Sequence, residues 1–378
     1  MAQIDLNDQN WKCAVNEQFD EGALYWQWDT TRFLNKGDYS WKAHIGTIAP
    51  KGEHEVYQFG NCQINTSDST MYLVAYYDSA NIHQNHYYLP KWMWPENGGS
   101  GYPSNDSLLY FSGALEYYKK EYVQNEDERK FLYGYFEIRC KLPTHQGAFP
   151  AFWLQVSSDT IGNKYYEEID IFEYSWWITS PAGPNHNTPE LGSKRCYTCG
   201  LYFNDTDTFY HDHSYARTYP SIPSHSSDLD QYHSFSCEWM PDHVIWYFDG
   251  SVMNEYYNMD SIPHRPLYLK TNYAIDNYYK HGEKWLGPGE MVIDYIKTYQ
   301  LNWDCSTDET ITCQSDLNDF VYAVKKSVAI TSTLEEPIVE NGDKTTFRVT
   351  DTFEVAGPFE VENGAEFTVI VQTCPTTN

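Results

Sequence analysis

The residues in this chain best suited to chemistry are Glu168-Ile169-Asp170-Ile171-Phe172-Glu173, bracketed by Tyr165-Tyr166 and Tyr174-Ser175-Trp176-Trp177. Three carboxylates alternate with Ile and Phe in a run whose composition reads as a β-strand. In a regular strand Glu168 and Asp170 share one face and Glu173 takes the other. A one-residue bulge after Asp170 removes that mismatch, because two residues then oppose one and everything downstream is re-aimed. All three acids would line one side of a sheet, with Ile169 and Ile171 anchored in the core behind them.

Gathering three acids on one surface is costly, since like charges repel and desolvated carboxylates are penalised. Hydrolysis of a glycosidic bond needs such a group: one carboxylate attacks the anomeric carbon, and a second, kept protonated by its charged neighbours, protonates the departing oxygen. In the retaining mechanism the two stand about 5 Å apart. The competing reading is a solvated acidic edge strand, which has no need of the flanking aromatics.

At this point the chain resembles glycoside hydrolase family 16, whose motif is Glu, aliphatic, Asp, aliphatic, one further residue, Glu. The resemblance implies that Glu168 is the nucleophile, Glu173 the general acid/base and Asp170 the residue that orients the nucleophile. The extra residue, Phe172, places it with the bulged-strand branch of laminarinases, agarases, porphyranases, carrageenases and mucin-directed endo-galactosidases. Further segments carry the likeness in order. They are residues 10–30, the stretch around Glu55, Phe131–Pro143 with Arg139, Gly147–Leu154, Gln231–Gly250, Pro266–Ile275 and Met291–Tyr299.

The resemblance implies that Trp153 sits beside the sugar next to the cleaved bond and that the Glu55 segment reaches towards the cleft. Tyr174, Trp176, Trp177 and Arg139 are expected to join them in binding substrate. It also implies a structural calcium held by Asp294 with groups near the N-terminus; oxygen ligands suit that ion. No cofactor is required for catalysis. Many laminarinases carry Trp where this chain has Phe149, a departure that shifts the expectation towards a galactose-containing chain.

Many short aromatic strands separated by turns predict a sandwich. The expected fold is all-β: a jelly-roll β-sandwich with a concave cleft over residues 1–301, followed by a small C-terminal β module over residues 302–378. Asp249-Gly250 marks a hairpin turn. From Asn302 onward Tyr and Trp nearly vanish, and Val339-Glu340-Asn341-Gly342 recurs as Val361-Glu362-Asn363-Gly364, a spacing of 22 residues that reads as stacked β-turns. Residues 79–107, with Trp92 and Trp94, form a long insert expected to wall the cleft.

Composition narrows the function. Aromatics make up 17% of the chain, with 34 Tyr and 13 Trp, an excess that suits stacking on sugar CH faces. A net charge of −28, from 53 acidic and 25 basic side chains, repels phosphate backbones and anionic membranes and excludes nucleic acid as partner. It also weighs against heavily sulfated glycans unless Lys and Arg cluster in the cleft. No apolar run is long enough to span a bilayer. Nine Cys leave at least one unpaired in a monomer. Cys196 and Cys199 read as a local disulfide or inert thiols, and His211-Asp212-His213 as a solvated loop rather than a metal site.

The expected function is that of an exported, monomeric, endo-acting retaining β-glycosidase. Its substrate is a β-galactan, mucin-type O-glycan or agar-like chain, or a β-1,3/1,4-glucan. The rival is a lectin-like jelly roll that binds sugar without turnover, from which the acid triad separates it.

Overall fold

A computed structural model describes residues 11–20, 25–26, 32–35, 40–44, 55–78, 110–118, 130–145, 147–156, 166–174, 196–204, 213–218, 222–224, 226–275, 287–301, 303–312, 323–331 and 338–374. Two compact units emerge, one built on Ala14–Thr298 and the other on Tyr299–Asn378.

The larger unit is a jelly-roll sandwich of two ten-stranded sheets among the described residues. One sheet runs in the order His213–Thr218, Thr198–Asn204, Tyr166–Glu173, Ala148–Gln155, Leu267–Ile275, Ala114–Tyr118, Ser40–Ala43, Arg32–Asn35, Tyr25–Trp26. We call it the acid-bearing sheet. The opposing sheet runs Ser251–Tyr256, Val244–Phe248, His233–Trp239, Gly134–Lys141, Gly289–Leu301, Thr70–Tyr77, Tyr110–Ser112, Glu55–Tyr57.

Alternation along each strand builds the core between them. Phe152, Leu154, Ile169, Phe172, Leu201, Leu269 and Leu115 are buried on the inward face of the acid-bearing sheet. Phe172 meets Phe235 of the opposing sheet at 4.4 Å between ring centroids. Each such side chain contributes about 1.5–3 kcal/mol when taken from water. Asp249 and Gly250 close their hairpin with φ of 47° and 76°, the positive pair that a type I′ turn demands. The Asp249 carboxylate also bonds back to His233 Nδ1 at 2.7 Å.

The second unit is built differently. Asp304–Ile311, Ala323–Thr331, Lys344–Ala356 and Glu366–Val371 form a parallel four-stranded sheet, and Ile338–Val339 pairs in parallel with Glu360–Val361. The repeated Val-Glu-Asn-Gly turns therefore lie one above the other: Val339 pairs with Val361, and the Asn341 backbone N–H donates to Glu362 Oε2 at 2.9 Å. Gly342 and Gly364 take φ of +96° and +100°, where a Cβ is strained. Ile311, Val328, Ile330, Phe347 and Val349 form the core of the stack. A Cys305–Cys374 disulfide joins its first strand to the segment after its last, across a sequence separation of 69.

Candidate active site

The bulge is present where the out-of-step glutamate requires it. Against the neighbouring strand Gln155 pairs with Glu168, Trp153 with Asp170 and Ala151 with Glu173, the register shifting between Phe152 and Trp153. On the other side Glu168 pairs with Tyr202, Asp170 with Gly200 and Glu173 with Thr198. Residues 151, 153 and 155 alternate, as do 198, 200 and 202, so both neighbours place the three carboxylates on one face. Ile171 is the added residue, buried together with Ile169 and Phe172. Asp170 is 2% exposed, while Glu168 and Glu173 are half-buried.

The bulge is tied down from behind. The indole N–H of Trp246, on the opposing sheet, donates to the Asp170 carbonyl at 2.8 Å, at the point where the ladder is interrupted. In front, the Thr198 hydroxyl lies 3.2 Å from the Glu173 carbonyl and 3.5 Å from Glu173 Oε2. Glu167, the fourth acid of the strand, takes the reverse face. Burial raises its pKa, against the pull of Arg265 and His264.

Register extends the acid face sideways as rows. Through the middle run Lys42, Glu116, Lys270, Trp153 and Asp170, each paired with the next. A parallel row holds Ala114, Asn272, Ala151, Glu173 and Thr198. Trp153 thus shares the face of the acids, 8% exposed. Its indole N–H donates to Asn272 Oδ1 at 2.7 Å, Asn272 donates to the Tyr57 hydroxyl at 2.9 Å, and the Lys270 ammonium sits 5.1 Å from the ring centroid. His44 Nδ1 lies 2.9 Å from Glu116 Oε1. Burial works to raise the Glu116 pKa, but His44, Lys270 and Lys42 hold it far below the usual carboxylate range.

Several expected site residues lie elsewhere. Tyr174 is 1% exposed and presents no ring surface to a ligand. Glu55 is fully buried, and its Oε2 accepts the Ile275 backbone N–H at 2.8 Å, which makes it a structural brace rather than a substrate ligand. Arg139 belongs to the opposing sheet. There its guanidinium bonds the Asp294 carboxylate and lies over the Tyr232 ring at 4.8 Å. Arg139 is therefore a partner of Asp294 and not of the carboxylates across the sandwich. Residues 1–10, which include the N-terminal groups expected to join Asp294 in holding calcium, lie outside the described residues. No cluster of three or more His, Cys, Asp or Glu suited to a metal occurs among the described residues. Trp176, Trp177, the 79–107 insert and the His211-Asp212 pair lie outside the described residues. Cys196 and Cys199 are buried and not joined to each other by a disulfide, Cys199 pushed well above its ordinary pKa by burial and by Asp170.

Sequence reasoning missed Lys270, Asn272, Glu116, His44, Thr198 and Trp246. Lys270 and Asn272 left a signal, two polar residues at alternate positions in the apolar strand Leu267–Ile275.

A two-sheet, largely antiparallel sandwich with three carboxylates and a tethered Trp on one outer face is the architecture of jelly-roll carbohydrate-active proteins. The chain belongs to glycosyl hydrolases family 16, whose family model matches residues 105–297, just over half of it. An endo-1,3-1,4-beta-glycanase, EglC of Rhizobium meliloti (strain 1021), is 29% identical over 173 residues, covering 46% of this chain and 31% of the relative. The chain thus spans about a third of that relative's length. Among solved structures, the laminarinase catalytic domain of Thermotoga maritima MSB8 matches with TM-score 0.52 and 20% identity over 77% of this chain and 99% of that one. A structure from work on endo-acting O-glycanases of the human gut microbiota matches with TM-score 0.52 and 19% identity over 78% and 92%. At these identities the structural likeness is one of fold.

Proposed function

We propose that this protein is an endo-acting retaining β-glycosidase. Glu168 attacks the anomeric carbon, Glu173 protonates the departing oxygen and then activates water, and Asp170 orients Glu168 from between them. The observation that carries this reading is the register: a bulge at Ile171 brings Glu173 opposite Ala151 and so onto the face of Glu168 and Asp170. Partner positions 151 and 155 are about 13 Å apart along the strand. The retaining mechanism requires the two glutamate side chains to lean towards Asp170 from either end, bringing their carboxyl groups to about 5 Å. The family relationship supports a glycosidic bond as the target. Trp153, fixed by Asn272 and Lys270, supplies a platform for the adjoining sugar.

The substrate is a glycan chain. The relatives named above are an endo-1,3-1,4-beta-glycanase and a structure from work on endo-acting O-glycanases that initiate mucin breakdown, and β-glucans and mucin O-glycans both belong in the test with agar-type galactans. Catalysis by this trio requires no cofactor, and the unit acts as a monomer. Export to an oxidising compartment is supported by the Cys305–Cys374 disulfide, a bond that reducing cytoplasm disfavours. No helix among the described residues is long and apolar enough to cross a membrane.

The test is a panel of glucans, agars and desialylated mucin, scored for new reducing ends. Release by the wild type that disappears in Glu168→Gln supports the assignment. Retention of sugar without release across the whole panel refutes it in favour of a lectin-like binder.

A further inference from the structure

Away from the acid-bearing face, one chain of hydrogen bonds joins a hydroxyl, an imidazole and a carboxylate. Ser227 Oγ lies 3.0 Å from His233 Nε2, and His233 Nδ1 lies 2.7 Å from Asp249 Oδ2. His233 opens the strand His233–Trp239 of the opposing sheet, and Asp249 sits in the turn that follows Val244–Phe248. Ser227 comes from the segment before that strand. This segment is tied down where the Leu142 N–H donates to the Leu229 carbonyl and the Gln231 N–H to the Asp228 carbonyl, both at 2.9 Å.

The imidazole has a fixed place and a fixed direction. It is 4% exposed, and its ring lies on that of Phe248 with centroids 4.7 Å apart. Burial works to raise the Asp249 pKa, but the bonds from His233 and Ser234 hold it below its ordinary value. An ionised carboxylate only accepts, so Nδ1 carries the proton, and Nε2 of the neutral ring is left as the acceptor that faces Ser227. The hydroxyl then donates into the ring and turns its lone pairs outward from an exposed residue. Bracing the hairpin accounts for only part of this arrangement. The turn is closed by the Ser234 N–H, which donates to Asp249 Oδ1 at 2.9 Å, and by His233 Nδ1 on Oδ2; the bond from Nε2 to Ser227 is needed by neither.

We propose that Ser227, His233 and Asp249 form a second hydrolytic site, independent of the acid triad, that removes small neutral acyl groups such as acetyl from esters. Ser227 Oγ bonds to the ester carbonyl carbon as its proton passes to His233 Nε2. Among the described residues the Ser227 N–H donates to no acceptor, which leaves it for the oxyanion that then forms. Collapse breaks the bond to the alcohol, and His233 returns the proton to the departing oxygen. Water, giving a proton to His233, attacks the acyl-serine; the carboxylic acid leaves and the Ser227 hydroxyl is restored. Asp249 is the positioning residue that keeps the imidazole in the accepting tautomer. Asp228 and Asp230 flank the serine in sequence, and with Asp249 they disfavour anionic esters.

The experiment treats the full chain with diisopropyl fluorophosphate, locates the label by peptide mass spectrometry, and follows hydrolysis of 4-nitrophenyl acetate. One label per chain, on Ser227, is expected. Ester turnover should fall about a hundredfold or more in Ser227→Ala, a change at an exposed position, and remain at the wild-type rate in Ser226→Ala. Asp249→Asn suits the φ of 47° at that position and should slow labelling at least tenfold with native circular dichroism retained. No label, a label on another residue, turnover that survives Ser227→Ala, or labelling as fast in Asp249→Asn as in the wild type would each overturn the proposal. None of these outcomes bears on Glu168, whose role is read from the release of reducing ends.

Discussion

Replacing Trp246 by Phe removes one hydrogen-bond donor from behind the bulge while retaining an aromatic ring in the core. Trp246 is fully buried, and its N–H to the Asp170 carbonyl measures 2.8 Å. Leaving that buried carbonyl without its donor costs about 1–3 kcal/mol. The space vacated by the larger ring adds about 1 kcal/mol, for a total on the order of 2–4 kcal/mol in a denaturant titration. The rate should respond as well, because the carbonyl belongs to the residue between the two proposed catalytic glutamates. With its anchor gone the bulge can relax, and a misplacement on the order of 1 Å can cost about a hundredfold in rate. The assay is kcat and KM, per folded molecule, on whichever chain the wild type cleaves. We expect kcat to fall at least tenfold with KM changed much less, since Trp246 lies on the sheet opposite the acid-bearing one. A variant that loses stability but retains kcat would show that the bulge geometry is set by strand register alone, and the reasoning would fail.

Three further predictions concern stability. His243 lies 3.2 Å from both Glu238 and Asp242; burial alone would lower its pKa, but these two acids raise it to about 9. A raised folded-state value means that the contribution is complete below pH ~6.5 and is lost as pH climbs through about 9, amounting to roughly 3 kcal/mol at most. Denaturant midpoints at pH 6 and pH 9.5 should therefore differ more in the wild type than in His243→Gln, and equal differences would exclude the mechanism. Reduction of Cys305–Cys374 reopens a loop with a sequence separation of 69, worth about 4 kcal/mol on the chain-entropy scale. Amide exchange in Asp304–Ile311 and Glu366–Val371 should quicken in dithiothreitol, and unchanged protection would count against the bond as a stabiliser. Gly364→Ala combines a φ of +100° with a new Cβ 2.5 Å from Asn341 Oδ1, whereas a Cβ at Gly60 meets nothing within 4 Å. The first should cost at least ~1 kcal/mol and Gly60→Ala close to none; equal costs would mean that the stacked turns tolerate side chains.

The parts of this molecule legible in its sequence are those where neighbours along the chain constrain one another. An acid at the wrong parity in an apolar strand demands a bulge, and the bulge lies between Asp170 and Glu173. An Asp-Gly pair between apolar runs demands positive φ at both residues, and both have it. A 22-residue recurrence of Val-Glu-Asn-Gly demands stacking, and Val339 pairs with Val361. What was illegible depends on which strands meet. Arg139 and Asp294 alternate as outward-facing residues should, but alternation does not say which sheet they decorate, and theirs is the one opposite the acids. Glu55 resembles a ligand by type, yet its partner is the backbone of Ile275, 220 residues away. The Cys305–Cys374 pair could not be chosen from nine cysteines by spacing.

The same distinction explains why the acid-bearing face holds so many groups that a stable core would reject. Asp170, Lys270 and Asn272 are each buried there, and each carries a desolvation cost that an apolar side chain would not. The reverse face offsets that cost. Ile169, Ile171, Phe172, Leu154, Leu201 and Leu269 are all buried against the opposing sheet. One strand thus faces two environments, with the change of parity after Asp170 serving both. It turns Glu173 outward to join the acids, and it leaves the Asp170 carbonyl to be claimed by Trp246 from within. Precision in the outer groups is therefore borrowed from packing in the inner ones, since a bulge held only by solvent-facing contacts would be free to slip by a residue and send every acid to the wrong side.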